Sequence, residues 1–144
     1  MKRLTLLTFA VGMATAAHAT PNDLAKYQWK NRVLVIFSSR AAPEFEKQRQ
    51  VISAQKAAFA DRDLVVLAVD GKTVAPLYGK ADGLQADDIR ARLQGPGGQA
   101  FQAVLVGKDG LVKLRKDTAV SGPELFALID SMPMRANEAR KRTD

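Results

Sequence analysis

Unbroken apolar runs and one helical stripe dominate the first half of this chain. RVLVIFSS at residues 32–39 is β-branched and aromatic without polar alternation, which indicates a strand buried on both faces, and LVVLAV at 64–69 is a second apolar β run. Between them, apolar residues recur every seven positions, which predicts one amphipathic helix over residues 43–60. A strand, a long helix and a strand in this order form a right-handed unit with parallel strands.

The second half of the chain consists of shorter elements separated by turns. Residues 71–85 contain glycines and a proline with little periodicity, which predicts a long irregular excursion before a short helix at 87–93. Apolar runs at 101–106 and 111–115 flank the sequence GKDG at 107–110. Because an Asp-Gly pair between two such runs favours a tight turn, these residues predict a β-hairpin.

A last helix is predicted after the hairpin. Ser121 and Glu124 have the spacing of a capping box, so we expect the helix to start there and to end or be interrupted near Pro133. The highly charged tail at 136–144 is expected to fray. The predicted order is β-α-β-α-β-β-α, which is typical of an α/β thioredoxin-like three-layer sandwich, with a mixed sheet and helices on both faces.

The amino terminus has the layout of a secretory signal. Lys2 and Arg3 precede an apolar run at 4–14, and small residues follow at 17–19. The apolar run is shorter than the roughly 18 to 20 residues that a membrane span requires. We therefore expect residues 1–19 to be cleaved, leaving one domain over 20–144 that has no membrane span and is periplasmic or secreted.

Composition excludes several kinds of chemistry. The chain has no cysteine, and its single histidine, His18, lies in the predicted signal. Thiol redox chemistry, Cys or His catalysis and the usual zinc, copper and haem sites all need a thiolate or an imidazole, so we expect no cofactor, no metal site and no thiol oxidoreductase or peroxidase activity. Cleavage of the signal would remove Lys2 and Arg3, so the remaining chain would have 20 basic and 15 acidic residues.

Four segments resemble a known family: the thioredoxin-like domain of unknown function of secreted bacterial proteins, related to the peroxiredoxin-like domain of the DRO, URB, equarin and sushi-repeat matrix proteins. The resemblance implies the fold and leaves the activity open, because the family has no settled activity. The segments are YQWKNRVLVIF (27–37), DRDLVVLAV (61–69), VLVGKDGLVKLR (104–115) and LFALIDSMPMR (125–135).

The resemblance also indicates where a redox site would lie. Thioredoxin and peroxiredoxin relatives place their catalytic cysteines in the loop that corresponds to residues 38–43, and this loop has no thiol. They place a cis-proline at a position that falls at 100–103, where this chain has no proline. Family members often carry an acid just before the helix proline, and Ala42 stands there instead, which implies a weaker helix cap.

The loop at 38–43 is the first candidate site. Ser38, Ser39 and Arg40 could bind an anion near the start of the following helix, where free backbone N–H groups point outward. Two glutamates in the first helical turn would repel that anion, so a structural role is the preferred interpretation. An enzyme that uses non-thiol chemistry at this loop is the alternative.

A basic surface is the second candidate site. Lys113 and Arg115 leave the same face of a predicted strand, whereas Val112 and Leu114 should face the core, and Arg135 could join the two basic residues. Basic residues on a sheet edge also prevent aggregation, without any ligand. The predicted function is that of a binding module for an envelope protein, with adhesion to an anionic polymer as a further alternative. Nucleic-acid binding is not expected, because the chain has few aromatic residues on which bases could stack.

Overall fold

This computed structural model describes residues 24–143, which fold around one mixed sheet. The predicted signal at 1–19 and the last residue, Asp144, lie outside the described residues. The first two predicted strands are present and parallel, and the predicted hairpin is present and antiparallel. In the sheet order β3-β2-β1-β4-β5, the strands are β1 (Arg32–Phe37), β2 (Leu64–Asp70), β3 (Thr73–Tyr78), β4 (Gln102–Val106) and β5 (Val112–Lys116).

Helices cover both faces of the sheet, as predicted. Alternate side chains of β1 point to opposite faces, so Val33 and Val35 enter one core, while Leu34 and Ile36 enter the other. The α-helices are α1 (Pro43–Ala54), α2 (Lys56–Asp61), α3 (Ala86–Leu93), α4 (Gly122–Asp130) and α5 (Pro133–Thr143). A 3₁₀ turn (Leu24–Tyr27) and α3 close the first core, and α1, α2 and α4 close the second.

The long helix predicted over 43–60 is in fact two helices. Gln55 has φ −123° and ψ 19°, which separates α1 from α2. Ile52 and Phe59, on either side of the break, are both buried in the same core. A one-residue interruption leaves the apolar spacing unchanged, so the periodicity of the sequence could not reveal it.

The predicted irregular excursion at 71–85 contains β3. This strand pairs antiparallel with β2 after a tight turn at Gly71, whose φ is +56°. Its residues are exposed or half-buried, so no apolar run marks it. It also contains Pro76, which an edge strand tolerates because the missing N–H is not needed for a second ladder.

The tail that was expected to fray is helical: α5 extends to Thr143. Arg135 is the buried residue in its described length, so the helix does not dock through an apolar stripe. Ion pairs to the rest of the domain take that role. Because they join residues far apart in the sequence, local pattern could not indicate that this charged segment is held.

Candidate functional site

The loop at 38–43, after β1, is closed by its own hydrogen bonds. Ser38 is buried, and its hydroxyl donates to the carbonyl of Ser39 at 2.9 Å. The Ser39 hydroxyl accepts the N–H of Ala41 at 3.3 Å. Within residues 24–143 no lysine or carboxylate bonds to either hydroxyl, so the base that a serine nucleophile needs is not in place.

Arg40 is the most available group of this loop. Its backbone N–H donates to the Asp70 carboxylate at 3.2 Å, while its guanidinium has no bonded partner among the described residues. Ala42 caps α1 without a side-chain hydrogen bond. Glu44, one turn on, accepts the Ala119 N–H at 2.8 Å; this bond, and then the one from Lys47, lowers the pKa of its carboxyl and keeps a negative charge beside the loop.

Lys113 and Arg115 are two residues apart on β5, yet they have different partners. Lys113 pairs with Asp109 across the turn, with Nζ and Oδ2 at 2.6 Å. Arg115 donates to Gln102 Oε1 and to the carbonyl of Leu93, both at 2.7 Å, and so joins β5 to the end of α3. The structure thus places Lys113 at the turn and Arg115 beside α3.

Arg135 lies inside an ion-pair cluster. Its Nη1 donates to the carbonyl of Asp61 at 2.9 Å, its Nη2 bonds the Asp61 carboxylate, and its Nε donates to Asp130 at 3.2 Å. The hydrogen bond from Arg135 is the main reason that the pKa of Asp61 is lowered. Arg135 therefore fastens α5 to the ends of α2 and α4, and its charge is neutralised within the domain.

Glu138 is the centre of this cluster, and the sequence pattern did not single it out. Its Oε1 lies 2.6 Å from Lys108 Nζ, and its Oε2 lies 3.2 Å from Arg32 Nη1. Lys108 also pairs with Asp63 at 2.9 Å, and Arg32 also donates to the carbonyl of Arg62 at 3.0 Å. A charged Arg32 at the head of a buried strand is the one sequence signal that could have indicated a buried partner.

We call this set of contacts the α5 network. Burial, the largest influence, raises the pKa of Glu138, but the hydrogen bonds from Lys108 and Arg32 outweigh it and leave the pKa below its ordinary value of 4.5. The pKa of Asp130 is also lowered, mainly by the hydrogen bond from Arg62. The members of the network are Arg32, Asp61, Arg62, Asp63, Lys108, Asp130, Arg135, Glu138 and Arg142.

Large exposed apolar residues lie in or beside the hairpin turn. Within residues 24–143 there are four of them, Trp29, Leu111, Val112 and Met134, and we call this group the hairpin face. The backbone N–H of Trp29 donates to the carbonyl of Lys108 at 2.7 Å, and Met134 lines a cavity together with the turn residues. Three separate segments therefore bring their most exposed apolar residues to one place.

Val112 was expected in the core and is 42% exposed. The pairing of β4 with β5 shifts register between Leu105 and Val106, opposite the start of β5. Such an irregularity changes where the nearby side chains point. Leu114, beyond the shift, packs against the core as expected.

Trp29 has an unusual backbone for a bulky residue. Its φ is +65°, in the left-handed region, and its side chain is 64% exposed. Bulky residues rarely adopt this conformation, which costs of order 1 to 2 kcal/mol. The protein thus holds an indole in water at the expense of backbone strain, an arrangement that is concentrated at binding and active sites.

Residues 23–138 match the family described as Domain of unknown function (DUF4174). The chain belongs to this family. No curated protein matches the sequence of this DUF4174 protein.

Two of the solved structures that resemble this DUF4174 protein are a peroxiredoxin and a thioredoxin peroxidase. The reduced 2-Cys peroxiredoxin of Plasmodium vivax is 17% identical with a TM-score of 0.54, and the match covers 83% of this chain and 84% of that one. Thioredoxin peroxidase I of Plasmodium yoelii is 20% identical with a TM-score of 0.51, covering 84% and 81%. These similarities confirm the predicted thioredoxin-like fold, on a chain that has no cysteine.

Proposed function

We propose that this DUF4174 protein is an exported binding module that holds a partner protein on the hairpin face. The observation that carries the proposal is the grouping of Trp29, Leu111, Val112 and Met134 around one turn. Exposed apolar residues scattered singly need no explanation, whereas several of them gathered at one turn are the kind of surface at which interaction sites form.

The hairpin face has the composition of a binding hot spot. Tryptophan is enriched among the residues that contribute most to protein interfaces, and burying one large apolar side chain contributes about 1.5 to 3 kcal/mol. Trp29 and Leu111, at 64% and 62% exposure, still have most of that surface to bury.

The partner that fits is an extended acidic segment with apolar side chains. β5 is an edge strand of the sheet, so its outer backbone groups can pair with an added strand. Lys113 lies at the hairpin face, and the chain without Lys2 and Arg3 has 20 basic and 15 acidic residues. Positive charge speeds the approach of an acidic partner, while the apolar contacts hold it.

The proposal includes export, as the pattern of residues 1–19 indicates. It also includes the relationship of this chain to secreted bacterial domains and to the DRO, URB, equarin and sushi-repeat matrix proteins. Of the candidate residues, Lys113 is assigned to the partner-binding surface. Arg115 and Arg135 would act by positioning β5 and α5, and the Ser38, Ser39 and Arg40 loop is kept as the comparison site in the test below.

The test combines capture with fluorescence. The processed protein is immobilised and exposed to envelope extract, in parallel with a hairpin variant, Leu111→Ser with Met134→Ser, and a loop variant, Ser39→Ala with Arg40→Gln. We expect a protein that is captured by the native chain and the loop variant but lost with the hairpin variant. Trp29 is the single tryptophan, so adding that purified protein should shift its emission to shorter wavelength.

Other outcomes overturn the proposal in distinguishable ways. Loss of capture with the loop variant alone would move the site to residues 38–43. Capture of polysaccharide or another anionic polymer, abolished by 0.5 M salt and unaffected by the hairpin variant, would favour adhesion over protein binding. Unchanged Trp29 emission on adding the captured protein would show that the hairpin face stays in water.

A further inference from the structure

We propose that the cavity beside the hairpin face binds a carboxylate group of the partner. The inference rests on the proposed function and specifies the chemistry of the segment that is bound. The cavity has a volume of about 70 Å³ and lies between the turn at 107–110 and the start of α5. Three cationic residues, Arg32, Lys108 and Lys113, line it together with one acid, Asp109. Glu138 and Asp63, which do not line the cavity, pair with Arg32 and Lys108 from behind its wall.

Arg32, one of the residues that line the cavity, has a buried donor without a partner. Arg32 is 1% exposed, and its Nε–H is the one buried side-chain nitrogen or oxygen in residues 24–143 that has no hydrogen-bond partner. Leaving a buried N–H unpaired costs about 1 to 3 kcal/mol. The two Nη atoms of Arg32 already bond Glu138, so Nε is the nitrogen of this guanidinium that still lacks an acceptor.

The two lysines of the cavity also have donors to spare. An ammonium group has three N–H bonds. Lys108 uses two of them, for Asp63 and Glu138, and Lys113 uses one, for Asp109. The wall therefore offers several N–H groups without acceptors from the described residues.

Acceptors in the wall are already occupied. Asp109 Oδ1 accepts the N–H of Leu111 at 3.0 Å, and its Oδ2 accepts Lys113 at 2.6 Å. Pro133 and Met134, the first residues of α5, also line the cavity, so the positive end of a helix dipole adds to the cationic field. A wall with free donors and engaged acceptors is complementary to an anion rather than to a cation.

Size and surroundings favour a carboxylate. A volume near 70 Å³ exceeds what one water molecule needs and suits a small planar group. The apolar residues Met132, Pro133 and Met134 border the same cavity, so an acid next to an apolar side chain would fill both environments at once. This is the chemistry of an acidic residue, or of a chain terminus, within the extended segment proposed above.

The test uses sodium acetate as the ligand, with sodium chloride at equal ionic strength as the reference. Nuclear magnetic resonance follows the Nε–H signals of the arginines in the processed protein. We expect a saturable shift of the Arg32 signal with acetate and none with chloride. Inorganic phosphate in a third titration tests the size argument, because a carboxylate-sized site should bind phosphate more weakly than acetate.

A matched pair of lysine variants locates the site. Lys113 and Lys116 lie on the same strand and each has one carboxylate partner, at 2.6 and 2.7 Å, but Lys113 lines the cavity. We expect Lys113→Gln to weaken acetate binding roughly tenfold to a hundredfold, as loss of one charged hydrogen bond does, and Lys116→Gln to leave it unchanged. Equal loss in both variants would mean a general charge effect and would overturn the proposal.

The inference and the proposed function fail separately. No acetate shift at Arg32, with capture on the hairpin face intact, overturns the carboxylate site and leaves the binding module. An acetate shift without any captured protein leaves the site and overturns the module. Peptides with a free or an amidated terminus, each tested with and without an internal Asp, then distinguish a terminal from a side-chain carboxylate.

Discussion

Replacing Glu138 by Gln should loosen α5 and lower the stability of the whole domain. The carboxylate bridges two cations that are buried, Arg32 and Lys108, and is itself 20% exposed. Gln has nearly the same shape but no charge, and its amide nitrogen would face one of the two cations. Both cations then lose their shared counter-ion, while their positions in the core stay the same.

The size of the effect depends on the partners that each cation retains in the variant. Removing one partner of a fully buried ion pair costs about 3 to 5 kcal/mol. Lys108 retains Asp63 at 2.9 Å, and Arg32 retains the Arg62 carbonyl at 3.0 Å, so the loss is smaller. We expect the free energy of unfolding to fall by about 2 to 3 kcal/mol, which lowers the melting temperature of a domain of this size by roughly 6 to 15 °C.

Urea unfolding followed by circular dichroism measures this change. The control is Glu124→Gln, which removes the pair between Glu124 and Lys116, two partners that are 42% and 35% exposed. An exposed pair contributes at most about 1 kcal/mol, so the control should stay near the native stability. If Glu138→Gln and Glu124→Gln unfold at the same urea concentration, the α5 network does not stabilise the fold and the reasoning fails.

The lowered pKa values of the α5 network, the backbone of Trp29 and the packing around Gly95 each lead to a further prediction. The α5 network contains carboxyls whose pKa values are lower in the folded protein than in the unfolded chain, so their ionised forms stabilise the fold at any pH above the ordinary pKa near 4. Stability should fall as the pH drops below that value and through the lower pKa values of the folded state. A melting temperature that stays constant from pH 6 to pH 3 would contradict this. Trp29→Gly relieves a positive φ that Trp29→Ala keeps, so the Gly variant should be about 1 kcal/mol more stable than the Ala variant in urea unfolding. A Cβ added at Gly95 would lie 2.5 Å from the buried Phe37 ring, so Gly95→Ala should cost about 1 to 3 kcal/mol, whereas Gly97→Ala, with open space around it, should cost little.

Local pattern was sufficient for the elements that are buried or sharply bounded. β1 and β2 are continuous apolar runs, and the Asp109-Gly110 turn forms the hairpin because Gly110 takes φ +82°. Ser121 accepts the Glu124 N–H at 3.3 Å and starts α4, as the capping-box spacing predicts. The lack of cysteine excludes thiol chemistry whatever the fold, since composition does not depend on tertiary structure.

Tertiary structure decided whatever depends on partners distant in the sequence. β3 is a strand because β2 pairs with it, and α5 is held because Glu138 meets Arg32 across 106 positions. Trp29 and Met134 likewise both lie beside the turn at 107–110, although no local pattern relates them. Ion pairs and exposed surfaces depend on three-dimensional proximity, which hydrophobic periodicity does not encode, and so the candidate binding surface became visible only in the folded chain.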